Sequence, residues 1–483
     1  MIITKKTMIL AGAEVEGLGG NLSVTNPADG SLIIDLRMAS KEQVDLAFER
    51  GKAAIGKNDW FARPPHERAS VLFRAAELML ERKDELAGLQ TSENGKTLKE
   101  SLGQVSAAAG IVRYFASVCE TLEGETPPPR GPYLSVTTYE PLGVVAAITP
   151  WNSPLTMAAQ KVAPALAAGN AVILKPSELT TLVSIALGRA FVDAGLPDGL
   201  LSVLPGDASI GEAIIDHPDL AMVSFTGGTN AGRAIASAVA GRFIPTILEL
   251  GGKSPTIVFA DADLDKAAAD VSSAIFGSGG QSCVAGSRLF VEHGIYDSFM
   301  EKLVAVSEKL RVGPPLDDAS NIGPMASEQQ RARIEGYVDI ARKEGGRILL
   351  GGKRPDSADC RDGAYYLPTI IDGLDHGSAV CQEEIFGSVL VVLPFTSEAD
   401  LIEQANDTVF GLACGIWSQD AQKAWRVAGA IKAGTVWINT YKQLSIAAPF
   451  GGYKESGLGR EKGIQGLRAY QQAKSIYLGG FGS

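Results

Sequence analysis

One thiol sits in a run unlike an ordinary core segment: Gly279-Gly280-Gln281-Ser282-Cys283-Val284-Ala285-Gly286-Ser287-Arg288, followed at once by the apolar Leu289-Phe290-Val291. Free cysteine is among the most buried residue types and usually behaves as a small hydrophobe, so a thiol alone carries little. Glycines on both sides change the reading, because they let backbone and ligand approach closely and leave amides free to donate. Cys283 is therefore the candidate covalent nucleophile. An unperturbed thiol of pKa ~8.5 is only about 3% thiolate at pH 7, so such a residue needs activation by its surroundings.

Other stretches hold the groups such a nucleophile needs. Glu249 lies between Leu248 and Leu250. An apolar setting raises a carboxylate pKa toward neutrality and suits it to general-base work; an ion-paired or helix-capping carboxylate is the alternative. Asn152 is held stiffly between Pro150 and Pro154, and its amide either donates to an oxyanion or caps the next helix. Lys175-Pro176-Ser177-Glu178 offers an ammonium and a carboxylate to ribose hydroxyls, or else solvated charges. A carboxylate there would repel a 2′-phosphate, which favours NAD over NADP. Thr226-Gly227-Gly228-Thr229-Asn230-Ala231-Gly232 is not GxGxxG, and it departs from a P-loop where Arg233-Ala234 replace the Lys-Ser/Thr pair. Gly227 and Gly228 still open a helix whose free amides suit a pyrophosphate.

Each of these groups follows a short apolar run, and the runs alternate with helical stretches. Strands are expected at 144–148, 171–174, 201–204, 222–225 and 245–250, with helices at 156–168, 181–194, 210–216 and 230–240 between them. Continuous apolar strands are buried on both faces. The pattern implies a parallel doubly wound sheet whose ligand site lies beyond the strands' carboxyl ends. Gly251-Gly252 marks a boundary. A second βα series runs from 255–259 to 435–439, a glycine-rich tail covers 449–463, and a last strand is expected at 473–478. Before the first series, residues 1–40 read as short strands and turns, and 41–119 as mainly helical. Past the stiff Pro127-Pro128-Pro129, residues 133–140 alternate like a half-exposed strand, either an ordinary edge or an arm that pairs with a partner chain.

Composition narrows the function classes. The 483 residues suffice for about three domains; 45% hydrophobic and 20% charged content fits an ordinary globular chain. Net charge is −11, and the absence of any basic run argues against a nucleic-acid partner. The five cysteines (Cys119, Cys283, Cys360, Cys381, Cys414) form no CxxC. The four histidines (His66, His217, His293, His376) form no HExxH, so neither a disulfide framework nor a metal site is expected. The N-terminus lacks a sustained apolar h-region, so no signal peptide is expected. Residues 142–160 are charge-free and long enough on paper to span a bilayer, but Pro150, Asn152 and Pro154 favour a buried strand and turn. A cytoplasmic protein without a membrane partner is the expectation.

Taken together, Thr149-Pro150-Trp151-Asn152, Leu174-Lys175-Pro176-Ser177-Glu178, Phe225-Thr226-Gly227-Gly228, Leu248-Glu249-Leu250-Gly251-Gly252-Lys253, Gly280-Gln281-Ser282-Cys283, Glu383-Glu384-Ile385-Phe386-Gly387 and Pro449-Phe450-Gly451-Gly452 form an ordered set. They resemble the signature blocks of the NAD(P)-dependent aldehyde dehydrogenase superfamily, in that family's order and spacing over nearly the whole chain. The resemblance implies an α/β fold of two doubly wound open sheets plus a small β oligomerisation arm. It implies a Rossmann-like NAD-binding domain at 1–122 and 142–250, a catalytic domain at 251–450, the arm at 123–141 and 465–483, and a homodimer or homotetramer. Cys283 would be the nucleophile, Glu249 the general base and Asn152 the oxyanion donor. Lys175, Glu178, Gly227, Gly228, Glu384, Phe386, Trp151 and Gln330 would touch NAD, with NADP less favoured and no metal. The reaction implied is oxidation of a small-molecule aldehyde to its acid through a thiohemiacetal and a thioester, with hydride passing to nicotinamide and Glu249 assisting hydrolysis.

Without that resemblance, Glu384 reads as a solvated charge and Phe386 as core. Lys161 and Glu461 resemble positions proposed to relay protons in some members; a structural salt bridge is the preferred reading. Some residues depart from the family pattern. Gly228 replaces the usual serine, and Ser153 and Gln160 stand where many members place bulky aromatics. With Ser282, Val284 and Leu444, this suggests a less aromatic pocket. Lys442, near the same rim, either meets the distal carboxylate of a semialdehyde or, the favoured reading, is simply solvated. A coenzyme-A-acylating semialdehyde dehydrogenase is the alternative, though that class typically lacks the glutamate. A non-catalytic binding protein on the same fold would have lost Cys283 or Glu249, and a Cys–His hydrolase would need a histidine in a motif.

Overall fold

The computed structural model describes residues 6–57 and 60–480. Valine, isoleucine, leucine and alanine fill its central strands because helices cover both faces: β1 (Val144–Ile148), β2 (Ala171–Lys175), β3 (Leu201–Val203), β4 (Leu220–Thr226) and β5 (Thr246–Glu249). These run parallel in the order β3-β2-β1-β4-β5. The order reverses between β1 and β4, which leaves a crevice beyond their carboxyl ends, where α/β sheets bind ligands. The helix after β1 starts at Pro154, earlier than expected, because proline suits a first helical turn. Strand β5 ends at Glu249 because the Leu250 N–H turns away to donate to the Ser456 carbonyl at 2.9 Å.

The sheet is longer than its parallel core. Thr7–Leu10 and Ala13–Glu16 extend it antiparallel beyond β3. On the far edge, Gly457–Leu458 pairs antiparallel with β5, so the glycine-rich tail contributes a strand as well as turns. The helix Leu98–Glu120 is long and apolar enough to cross a membrane. It packs against the helices Pro65–Glu81 and Pro154–Ala167.

A second sheet holds β6 (Pro255–Val258), β7 (Arg288–Glu292), β8 (Thr369–Asp372), β9 (Val389–Phe395), β10 (Ala413–Trp417) and β11 (Thr435–Ile438). They run parallel in the order β8-β9-β7-β6-β10-β11, with Arg347–Leu350 antiparallel at the β8 edge. Its apolar clusters are separate from that of the first sheet. Residues 250–254 join β5 to β6 and can span no more than roughly 18 Å. The carboxyl rim of the first sheet therefore faces the amino rim of the second. A two-stranded arm stands apart: Tyr133–Pro141 pairs antiparallel with Gln471–Gly479, a longer strand than expected.

Candidate active site

A cleft of roughly 1260 Å³ opens where the two rims meet. Cys283, Glu249 and Asn152 all line it, with Trp151, Gly227, Gly228, Gln330, Glu384 and Phe386. Lys175 and Glu178 lie outside this lining, at the end of β2, one strand farther from the switch point.

The nucleophile segment owes its path to left-handed backbone. After the helix Leu264–Phe276, Ser278 (φ 60°), Gly279 (φ 63°) and Gly280 (φ 70°) turn the chain back into the cleft. Glu100 secures Ser278 by accepting from its N–H at 2.8 Å and its hydroxyl at 2.9 Å. At Gly280 a Cβ would lie 2.1 Å from the Gly387 carbonyl oxygen, and at Gly252 one would lie 2.5 Å from that of Cys283. Neither position leaves room for a side chain beside the nucleophile segment.

Burial pushes the Cys283 thiol up to about 12, Glu384 and Glu249 adding to the effect, while the Val284 N–H opposes it. The thiol is therefore neutral as it stands and needs a proton acceptor. Glu249 is 4% exposed and its Oε1 has no hydrogen-bond partner. Burial raises its pKa well above the usual carboxylate range, with Glu461 adding and Lys161 opposing. Asn152 Nδ2 donates one hydrogen to the Gln281 carbonyl at 2.9 Å, which leaves its second N–H available beside the thiol's segment. Among the described residues the Cys283 N–H donates to no backbone acceptor.

Behind Glu249 lies a closed ionic network. Lys161 Nζ donates to Glu461 Oε1 at 2.5 Å, in a pair that solvent does not reach. Gln160 Nε2 donates to the other oxygen, and the Ser224 hydroxyl to Oε1 at 3.3 Å. Gln160 also lines the cleft, but its amide is committed to Glu461.

The rim around β4 has the character of a dinucleotide cradle. Gly228 precedes the helix Thr229–Ala240 with no side chain capping it, so the first amides are free. The buried hydroxyls of Thr226 and Thr229 have no partner. A Cβ at Gly227 would strike the Phe225 ring at 2.4 Å, so the backbone there stays bare. Across the cleft, Glu384 accepts from the Gly252 N–H at 2.9 Å, and burial raises its pKa to about 6. Phe386 (φ 61°) meets Trp151 edge to face, ring centroids 5.3 Å apart. Gln330 donates to the Ile385 and Phe386 carbonyls at 3.2 and 2.8 Å, so its amide anchors that loop. Lys175 is buried, which lowers its pKa against the pull of Glu178 and Asp207. Donors for phosphate and acceptors for ribose converge, and a nicotinamide dinucleotide fits this donor set.

Three residue-only readings are corrected. Glu384 is buried against the cleft and not solvated; Phe386 is part of the cleft wall and not core. Lys442 also lines the cleft, and burial lowers its pKa to about 8. Lys96 and Lys462, which line it too, were not singled out from the sequence. Nothing marks them locally, since a lysine in a polar stretch normally faces water. The four histidines stand away from the cleft, and no group of metal-ligating side chains occurs among the described residues.

The aldehyde dehydrogenase family model matches residues 15–476. Among solved structures the chain is similar to a Burkholderia cenocepacia protein of provisional aldehyde dehydrogenase assignment, at 38% identity over 98% of this chain and 97% of that one, with a TM-score of 0.96. It is similar to betaine aldehyde dehydrogenase from Staphylococcus aureus in complex with NAD+ at 36% identity, covering 98% and 95%, TM-score 0.96. A glycine-to-aspartate mutant of an aldehyde dehydrogenase from Bacillus cereus matches at 37% identity, covering 98% and 96%, TM-score 0.96.

Proposed function

Because the chain belongs to the aldehyde dehydrogenase family and is an aldehyde-oxidising enzyme, we propose that Cys283, Glu249 and Asn152 carry the reaction, with NAD as acceptor, through to the free acid. One observation carries this reading: the left-handed turn at 278–280 sets Cys283 close enough to Glu249 for the glutamate's charge to push up the thiol pKa, in the cleft lined also by the Asn152 amide.

The thiol gives up its proton to solvent, and the thiolate attacks the aldehyde carbon. Charge develops on the carbonyl oxygen, where the free N–H of Asn152 and that of Cys283 receive it; such a donor is worth roughly 3 kcal/mol. The free amides after Gly228 would hold a nicotinamide dinucleotide, whose ring would accept the hydride from the former aldehyde carbon and so leave a thioester on Cys283. Glu249 then draws a proton from a water molecule that attacks the thioester carbon. The same two donors hold the second oxyanion, and the thiolate departs as the acid forms. A carboxylate with an unpartnered oxygen supports hydrolysis over transfer to coenzyme A.

The first sheet would hold the dinucleotide and the second the nucleophile, with the boundary at 250–251. NAD is preferred to NADP because Glu178 and Asp207 both face Lys175 at the end of β2 and would repel a 2′-phosphate. The arm supports a homo-oligomer. An isolated two-stranded ribbon is marginal, and Ile476, Tyr477 and Leu478 stand half or more exposed on it. Mixing the protein with aldehyde and NAD, or NADP in parallel, should give NADH absorbance and an equivalent of acid. A demand for coenzyme A would contradict the hydrolytic reading.

A further inference from the structure

Two ammonium groups in the cleft wall have no ion-pair partner of their own among the described residues. Lys96 follows Gly95 (φ 76°), which ends the helix Lys83–Asn94 and turns the chain inward; Lys96 is 5% exposed. Lys442 adopts a left-handed backbone (φ 56°) shortly after β11, and its Nζ lies 3.7 Å from where a Cβ on Gly277 would stand. Gly277 opens the turn that carries the nucleophile. Among the described residues neither ammonium has an ion-pair partner within 4 Å, though Lys96, Lys442 and Glu100 lie within one another's electrostatic reach.

Glu100 cannot serve both lysines, because its oxygens are already engaged. Oε1 accepts twice from Ser278, and Oε2 accepts from the Thr97 N–H and hydroxyl at 3.1 Å each, closing the capping box of the helix Leu98–Glu120. Burial lowers both lysine pKa values, and for Lys442 the charge on Lys96 adds to the effect. Two like charges within electrostatic reach, one buried and the other half-buried, are unfavourable unless an anion joins them. Of the cleft's other carboxylates, Glu461 is held by Lys161, Glu384 accepts from the Gly252 N–H, and neither lysine pairs with Glu249. Gln104, Ser153, Met157, Leu444 and Ile446, which also line the cleft, bring neither a carboxylate nor an aromatic ring.

Resting on the aldehyde dehydrogenase reading above, we propose that Lys96 and Lys442 bind a carboxylate at the far end of the substrate, so that the enzyme prefers semialdehydes to neutral or cationic aldehydes. A cationic substrate needs aromatic faces or acidic groups around its charge, and two lysines would repel it. Betaine aldehyde, named for similar enzymes, is therefore a poor substrate of this one.

The test is the ratio of kcat/KM for succinic semialdehyde and its longer homologues to that for pentanal and for betaine aldehyde, each with NAD. The best semialdehyde should exceed pentanal by about tenfold or more, the worth of one hydrogen bond to a charged group, with betaine aldehyde last. Lys442→Met and Lys96→Met should each lower the semialdehyde-to-pentanal ratio by about tenfold, and Lys442→Arg should restore much of it. A purely structural role would lower both rates together and leave the ratio alone. Equal or better use of pentanal by the unmodified enzyme overturns the proposal and leaves aldehyde oxidation standing. Oxidation of none of these aldehydes would count against the underlying reading. If the methionine variants do not fold, the three-way comparison in the unmodified enzyme decides.

Discussion

Glu461 and Glu249 lie in neighbouring parts of the same cleft floor and are almost equally buried, at 2% and 4% exposed. Around Glu461, an ammonium, an amide and a hydroxyl converge on two oxygens. Around Glu249, one oxygen has no partner, and burial raises the pKa. Burial therefore does not make a base by itself; the missing partner does. Where every acceptor site is filled, a carboxylate holds structure together, and removing its charge leaves a buried cation stranded. Where a site is left open, the group can take a proton from water and give it up again.

The contrast can be broken in several places. Cys283→Ala removes the atom that both regions serve: steady-state oxidation should fall by at least about 10⁴-fold, while NAD binding, followed by protein fluorescence, persists. Glu249→Gln should cut turnover by roughly 10² to 10⁴-fold, yet still release a first equivalent of NADH in a stopped-flow trace. Glu461→Gln should act on stability instead, lowering the unfolding free energy by about 3–5 kcal/mol in a denaturant titration. If it stalled deacylation as Glu249→Gln does, the distinction between the two carboxylates would fail. Asn152→Ala should lower kcat by about 10²-fold through loss of one oxyanion donor.

The mildest test is pH. Glu249 must be ionised to act, and its pKa is raised, so the ionised fraction grows only above the range where ordinary carboxylates have already lost their proton. The steady-state rate should climb with pH above the range where ordinary carboxylates ionise, and Glu249→Gln should lose that climb. A rate already flat at pH 5 would place the base elsewhere.

The sequence made much of this arrangement readable, for identifiable reasons. Strands β1 and β2 are apolar at almost every position because both faces are covered, so their ends, and the groups placed there, could be located. Gly457–Leu458 could not be, since two residues in a glycine-rich tail carry no periodicity and are a strand only because β5 lies beside them. Glu249 was legible from its two leucine neighbours. Lys96 and Lys462 were not: their burial depends on left-handed backbone at Gly95 and Lys462, and on packing against segments distant in sequence. Gln330, expected among the cofactor contacts, lines the cleft with its amide nitrogen on the Phe386 loop, a placement set by where helix Glu328–Lys343 packs.

The central claim is that the sulfur of Cys283 carries the acyl group and that Glu249 removes it. Glu249→Gln, mixed with aldehyde and NAD, quenched in acid and digested, should yield a Cys283 peptide heavier by the acyl group, in near-stoichiometric amount. An unmodified Cys283 peptide after NADH has formed, or an acyl group on any other residue, would contradict it.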